Sequence, residues 1–232
     1  MKRRKTQVCA LCGQIREVTR EHVPPKCLFP TPQRSPLILR TCARCNNGST
    51  ESDEEFGTLL NLFRNDSTKD TGANWNRAFR SLRNQRKMLR SLLATTEKVL
   101  LTSESGIVIG PGYTFRWPIW RLLPTAEKIA RLLFFHHNKQ PVPPHLSVST
   151  YEIDPTGQPE GEELVRRSSI LEIAQSCELG ATEFPEVFTY RWGCANDEVE
   201  ASVWITTFME RVVFVTFITP HGIDSEELFS VQ

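Results

Sequence analysis

Apolar and polar residues follow two different rhythms along this chain. From Ser52, "SDEEFGTLLNLF" places Phe56, Leu59, Leu60 and Phe63 three and four residues apart, the spacing of one helix face. Ser52 and Glu55 have the form of a capping box at its start. "WNRAFRSLRNQRKMLRSLL" repeats the rhythm through Trp75, Phe79, Leu82, Leu89 and Leu93, and predicts one helix over 75–93. A third helix, "PTAEKIARLLFFHHN", is ended by the prolines of "KQPVPPH". Elsewhere the period is two. "VLLTSESGIVIGPGYTFRW" predicts strands about a Gly-Pro-Gly turn. "LSVSTYEI", "EVFTYRWGC", "ASVWITTF" and "RVVFVTFI" predict antiparallel strands, the last two forming a hairpin around Met209–Glu210.

Residues 1–50 follow neither rhythm. They are rich in Cys, Pro, Arg and Asn, which predicts short strands and turns stapled by something other than a core. The polar stretch "NDSTKDTGAN" (65–74) is the predicted linker. The expected architecture is therefore α+β, with a stapled N-terminal unit over 1–70 and a mixed helix and antiparallel-sheet domain over 71–232.

Composition changes this picture in two ways. No apolar run is long enough to span a bilayer, and the basic N-terminus is followed by no long apolar segment, so a cytoplasmic location is expected. The net charge of +1 conceals an asymmetry: residues 1–90 carry 18 Lys or Arg against 8 Asp or Glu, and the remainder 10 against 19. The basic part is suited to neutralising phosphates. The acidic part suggests a different surface, for a protein partner or a second copy.

Four of the seven cysteines stand in two pairs, Cys9-x2-Cys12 and Cys42-x2-Cys45. Each pair forms a tight turn that aims two thiolates at one cation, and two such turns complete the tetrahedral four-cysteine site that Zn2+ favours. The 29 residues between the pairs exceed what a simple ribbon needs, so a segment is inserted there. Cys27, Cys177 and Cys194 have no partner in sequence and read as small core residues.

The inserted segment contains "EHVPPK" (21–26). On a regular strand Glu21 and His22 would point to opposite faces, but the rigid Pro24 and Pro25 predict a bend that lets both face one point. Asn46 follows the second cysteine pair directly, at the predicted start of a helix. An imidazole, a carboxylate and an amide oxygen can then converge. Oxygen ligands from Glu21 and Asn46 suit Mg2+ or Mn2+. His22 would deprotonate water for attack on a phosphodiester. The plainer alternative is that Glu21 and His22 are scaffold residues.

Cys-x2-Cys, an acidic-His pair, then Cys-x2-Cys followed by Asn resembles the HNH (ββα-metal) endonuclease family. The likeness covers about residues 9–60, and is greatest to the branch with structural zinc and a final Asn, as in phage junction-resolving nucleases. The segments "EKIARLLFFHH" and "VWITTFMERVVFVTF" also look like parts of uncharacterised bacterial HNH proteins. The resemblance implies a treble-clef-like ββα-metal unit with His22 as general base. It implies Glu21 and Asn46 as ligands of the catalytic cation, and the four cysteines as zinc ligands. It implies DNA as substrate, with RNA an alternative, in a setting such as phage defence or a mobile element. One departure stands out: the family's central Asn, which braces the hairpin, is replaced here by Leu37, with Gln33 a nearby substitute. A non-catalytic zinc module that binds nucleic acid or a protein is the alternative function.

Lys26 and Arg44 lie beside this segment, and Arg77, Arg80, Arg83 and Lys87 line one flank of the predicted basic helix. All six are candidate phosphate contacts. His136 and His137 read as a cationic cap on a helix end. Trp117, Trp120, Trp192 and Trp204 read as core, and "EGEEL" (160–164) as a solvated turn.

Overall fold

The computed structural model describes residues 5–29, 37–63, 71–103, 105–116, 118–153, 162–194 and 200–222. Its first layer is a three-stranded antiparallel sheet ordered β1 (Thr6–Val8), β2 (Ile15–Val23), β3 (Leu37–Cys42). Two helices follow at once, α1 (Ala43–Gly48) and α2 (Thr50–Phe63). The first cysteine pair sits in the β1–β2 turn and the second at the entry to α1, which gives a treble-clef-like ββα unit. Helix α2 begins two residues before Ser52. It keeps its predicted face: Phe56, Leu59 and Leu60 are fully buried. Gly57 is demanded by packing, since a Cβ there would lie 2.2 Å from Cys27 Sγ.

The basic helix differs from expectation. It is two helices, α3 (Thr71–Asn84) and α4 (Arg86–Ala94), broken at Gln85, whose ψ of 67° leaves the helical region. The break resets the helical phase. Ala78 and Leu82, then Met88 and Leu92, are buried, while Phe79 and Leu93 of the predicted stripe are exposed. The start of α3 at Thr71 also takes the last four residues of the predicted linker into a helix; residues 64–70 lie outside the described set.

Next comes a two-stranded hairpin, β4 (Glu97–Thr102) and β5 (Val108–Thr114). The Ser103 N–H donates to the Ile107 carbonyl at 2.8 Å where the hairpin closes, and the Gly-Pro-Gly sequence lies within β5, with Pro111 opposite Leu100. Helix α5 (Leu123–Asn138) ends at Lys139, which takes the left-handed conformation. The last sheet has five strands in the order β6 (Leu146–Ile153), β10 (Val212–Pro220), β9 (Ser202–Phe208), β8 (Phe188–Cys194), β7 (Glu178–Leu179). Every neighbouring pair in it is antiparallel. The β9–β10 hairpin turns at Met209 and Glu210, both with positive φ, as read from the alternation.

Helix α6 (Glu162–Ser176) starts inside the stretch expected to be a solvated turn. It covers the outer face of the last sheet, packing Ile170 with Val203, Ile205, Val215 and Phe217. The inner face joins one continuous core with the N-terminal unit. Phe56 of α2 meets Phe208 and Phe214 at ring-centroid distances of 5.1 and 5.9 Å, and Phe29 meets Phe184 at 5.5 Å. The core thus runs unbroken across the expected boundary at residue 70. Trp204 is fully buried and Trp192 packs against the core, but Trp120 is exposed beneath the Arg121 guanidinium, and Trp117 lies outside the described residues. No helix among the described residues is long and apolar enough to cross a membrane.

Candidate metal centre and catalytic residues

The sulfur atoms of Cys9, Cys12, Cys42 and Cys45 lie within 4.8 Å of one another, with Cys12 and Cys42 at 4.0 Å. A tetrahedron of sulfurs about 2.3 Å from a central ion has edges of about 3.8 Å, so this donor set fits a metal such as zinc. Local backbone prepares it. The Cys42 N–H donates to Cys9 Sγ at 3.2 Å, and the Cys45 N–H draws the Cys42 thiol down to about 7. Burial pushes Cys12 and Cys45 upward. Four crowded thiols of this kind release their protons together only to a cation that balances the thiolates.

Glu21 and His22 occupy successive positions of β2, paired with Leu39 and Ile38 of β3 in unbroken register through Val23. The expected bend comes only after Val23, so the two side chains stay on opposite faces of the strand. This corrects the expectation that they converge. Glu21 turns inward and is 5% exposed. His22 lies on the outer face, half-buried, and its ring makes no hydrogen bond among the described residues. Burial, then the charges of Lys26 and Arg20, hold its pKa below the ordinary histidine value, so the ring is neutral at pH 7.

Asn46 projects from α1 back onto β2. Its Nδ2 donates to Thr19 Oγ1 at 2.7 Å and to the Arg20 carbonyl at 3.2 Å. This amide therefore braces the strand two residues before His22, while Leu37 pairs with Val23 at the strand end. Gln33 lies outside the described residues. Asn46 thus supplies hairpin bracing of the sort that Leu37 cannot.

The strongest polar feature was not read from the sequence. Lys128 of α5, 7% exposed, sends its ammonium between the two halves of the chain. It donates to Glu21 Oε1 at 3.1 Å, to Ser49 Oγ at 3.0 Å and to Asp53 Oδ2 at 2.5 Å, which uses all three of its protons. Thr41 donates to Glu21 Oε2 at 3.3 Å, and Thr125 to Asp53 Oδ1 at 3.2 Å. Burial raises the Glu21 pKa, against the opposing pull of Lys128. With its carboxylate spent in this way, and on the face away from His22, Glu21 does not fit as a ligand to a cation serving that histidine. One signal was available: Lys128 falls three residues after Thr125 and four before Leu132, within the buried stripe of α5.

Lys26, Arg44, Arg80, Arg83 and Lys87 are exposed; Arg77 belongs to α3, but its side chain is outside the described set. Arg80, Ser81, Glu54, Asn61 and Cys27 line a groove of about 600 Å³ that connects α3 with the segment just after His22. Cys27 is inert there, its thiol pushed up to about 11 by burial and by Asp53. His136 and His137 are not charged caps. Burial lowers both pKa values, and His137 lies in an aromatic cluster, 3.1 Å from Tyr190 Oη and 4.4 Å from the Trp192 centroid.

No family model, no curated protein and no solved structure matches this chain. The chemistry of its own residues carries the functional reading.

Proposed function

We propose that the chain is an HNH-type endonuclease that hydrolyses phosphodiester bonds in DNA, with zinc in the four-cysteine site. The observation that supports this reading best is His22: a neutral, half-buried imidazole on the outer face of the hairpin, under the charges of Lys26 and Arg20 and four residues along β2 from the pairing of Val18 with Cys42. In the proposed step His22 takes a proton from water as its oxygen attacks phosphorus, and the sugar oxygen leaves with the bonding pair. Arg20 and Lys26 offset the phosphate charge, and the exposed cations of α3 and α4 hold the flanking backbone. A divalent cation, Mg2+ or Mn2+, would add Lewis-acid stabilisation at this face, and Glu21 is not among the residues free to hold it.

The test is cleavage of plasmid and single-stranded DNA by wild type and His22→Ala, each with EDTA, Mg2+ or Mn2+. Metal-dependent cutting by wild type, lost in His22→Ala at unchanged zinc content, is the expected result. Equal cutting by both proteins would overturn the role of His22. A second reading, a non-catalytic zinc module that binds nucleic acid, is favoured by the capture of Glu21 by Lys128. Salt-sensitive DNA binding without cleavage under any metal would select it.

A further inference from the structure

Strand pairing sets Arg20 of β2 directly opposite Arg40 of β3, and His22 directly opposite Ile38. Opposite residues share a face of a sheet, as do alternate residues of one strand, so these four stand together on the outer face of the hairpin. Val18 and Cys42, the next pair of the same series, join that face to the cysteine clip. The Ala10 N–H donates to the Arg40 carbonyl at 2.9 Å and the Cys42 N–H to Cys9 Sγ at 3.2 Å, so both residues turn their backbone polar groups away from β2. Arg20 and Arg40 are therefore a non-hydrogen-bonded pair, the kind whose side chains stand closer, with Cα atoms about 4.5 Å apart. Both are exposed, and among the described residues neither guanidinium has a carboxylate partner. Like charges directly opposite one another destabilise a sheet, and an anion held between them removes the repulsion.

We infer that Arg20 and Arg40 clamp one phosphate of the DNA backbone, the neighbour of the phosphate at His22. The clause about His22 rests on the nuclease reading above; the clamp itself does not. Guanidinium forks match phosphate oxygens bidentately, and two of them on facing strands can close on one phosphate from both sides. Two residues along a strand span about 6.6 Å, a step comparable with that between successive phosphates of one nucleic-acid strand. A backbone lying along β2 thus meets the arginine pair with one phosphate and His22 with the next. Arg20 stands near both, since its charge is felt at the His22 ring. The clamp is also built in advance. Asn46 donates to the Arg20 carbonyl at 3.2 Å, and on the inner face Thr41 donates to Glu21 at 3.3 Å, so the backbone at both positions is fixed before a ligand arrives.

The test is binding of short fluorescein-labelled DNA, single-stranded and duplex, to the zinc-loaded full chain, read by anisotropy over a range of salt without added divalent cation. Arg40→Gln should weaken binding about tenfold and lower the slope of log K against log salt by about one. Arg40→Lys should not restore it, because an ammonium lacks the fork. Arg20→Gln combined with Arg40→Gln should lose less than the product of the single losses, since both grip one phosphate. Multiplicative losses would overturn the shared phosphate. Arg16→Gln, at an exposed position of β2 beyond the clip, controls for overall charge, and a loss equal to that of Arg40→Gln would overturn the clamp. Unchanged DNA binding by Arg40→Gln would overturn it as well; if that variant also lost zinc, the arginines would be assigned to the thiolate charge instead. The nuclease reading fails separately, in the cleavage assay, and a wild type that cuts no DNA leaves every one of these binding results decisive.

Discussion

Replacing Lys128 by Met removes the charge of the buried cation while keeping most of its apolar stem. Glu21 is then left 5% exposed with only the Thr41 hydroxyl donating to it, and Asp53 keeps Thr125 and its partial access to solvent. Breaking one side of a buried ion pair costs about 3–5 kcal/mol. The loss here should sit near the lower end, because Asp53 remains partly hydrated. The deficit should also depend on pH, and its sign follows from the raised Glu21 pKa. Without the ammonium that pKa moves further above its unfolded value of about 4.3, so folded Lys128→Met binds more protons than its unfolded chain between the two values. Stability of the variant therefore falls as pH rises through that window, and the deficit at about pH 7.5 exceeds that at about pH 5. Adding Glu21→Gln removes the stranded charge and should recover most of the loss, a coupling of roughly 2 kcal/mol. Urea denaturation at fixed zinc, followed by tryptophan fluorescence at both pH values, measures all of this. A loss below about 1 kcal/mol, or one that does not change with pH, would refute the account of Lys128 as the counter-ion of a buried carboxylate.

Three further outcomes are expected. Cys9→Ser should lose the bound metal by elemental analysis and melt the β1–β2–β3 unit in amide hydrogen exchange, since that sheet draws its stability from the clip. The acid limb of any cleavage profile should lie below the ordinary histidine value of about 6.5 and move upward when Arg20 and Lys26 are changed to Gln, because both charges hold His22 neutral; NMR titration of the ring reads the same shift. Gly57→Ala should destabilise by about 1–3 kcal/mol through overpacking, and Cys27→Ala in the same chain should relieve it, as a thermal-melting cycle would report.

Much of the scaffold was legible because its signals are local. Two ideal Cys-x2-Cys spacings were enough to place the metal clip, and the alternation in "ASVWITTF" and "RVVFVTFI" to place the β9–β10 hairpin. What escaped depends on contacts distant in sequence. Gln85 looks like any helix former, yet there the chain leaves the helix, with its amide bonded to Thr58 and Ser81. Glu21 read as a metal ligand because it adjoins His22; its real partner is 107 residues away, on a helix whose single buried cation resembles surface decoration in one dimension. Asn46 read as a metal ligand because it follows the second cysteine pair; its role as the brace of β2 was not legible, because that bond needs α1 folded back on the strand.

The shared core has a consequence for the handling of the N-terminal unit. Phe56, Leu59 and Leu60 are sealed by side chains from α5 and the last sheet, and Glu21 is neutralised by a residue of α5. A fragment ended after α2 would present three large apolar side chains and a buried acid to water at once. The zinc unit is consequently not a cassette that can be cut out and joined to other proteins.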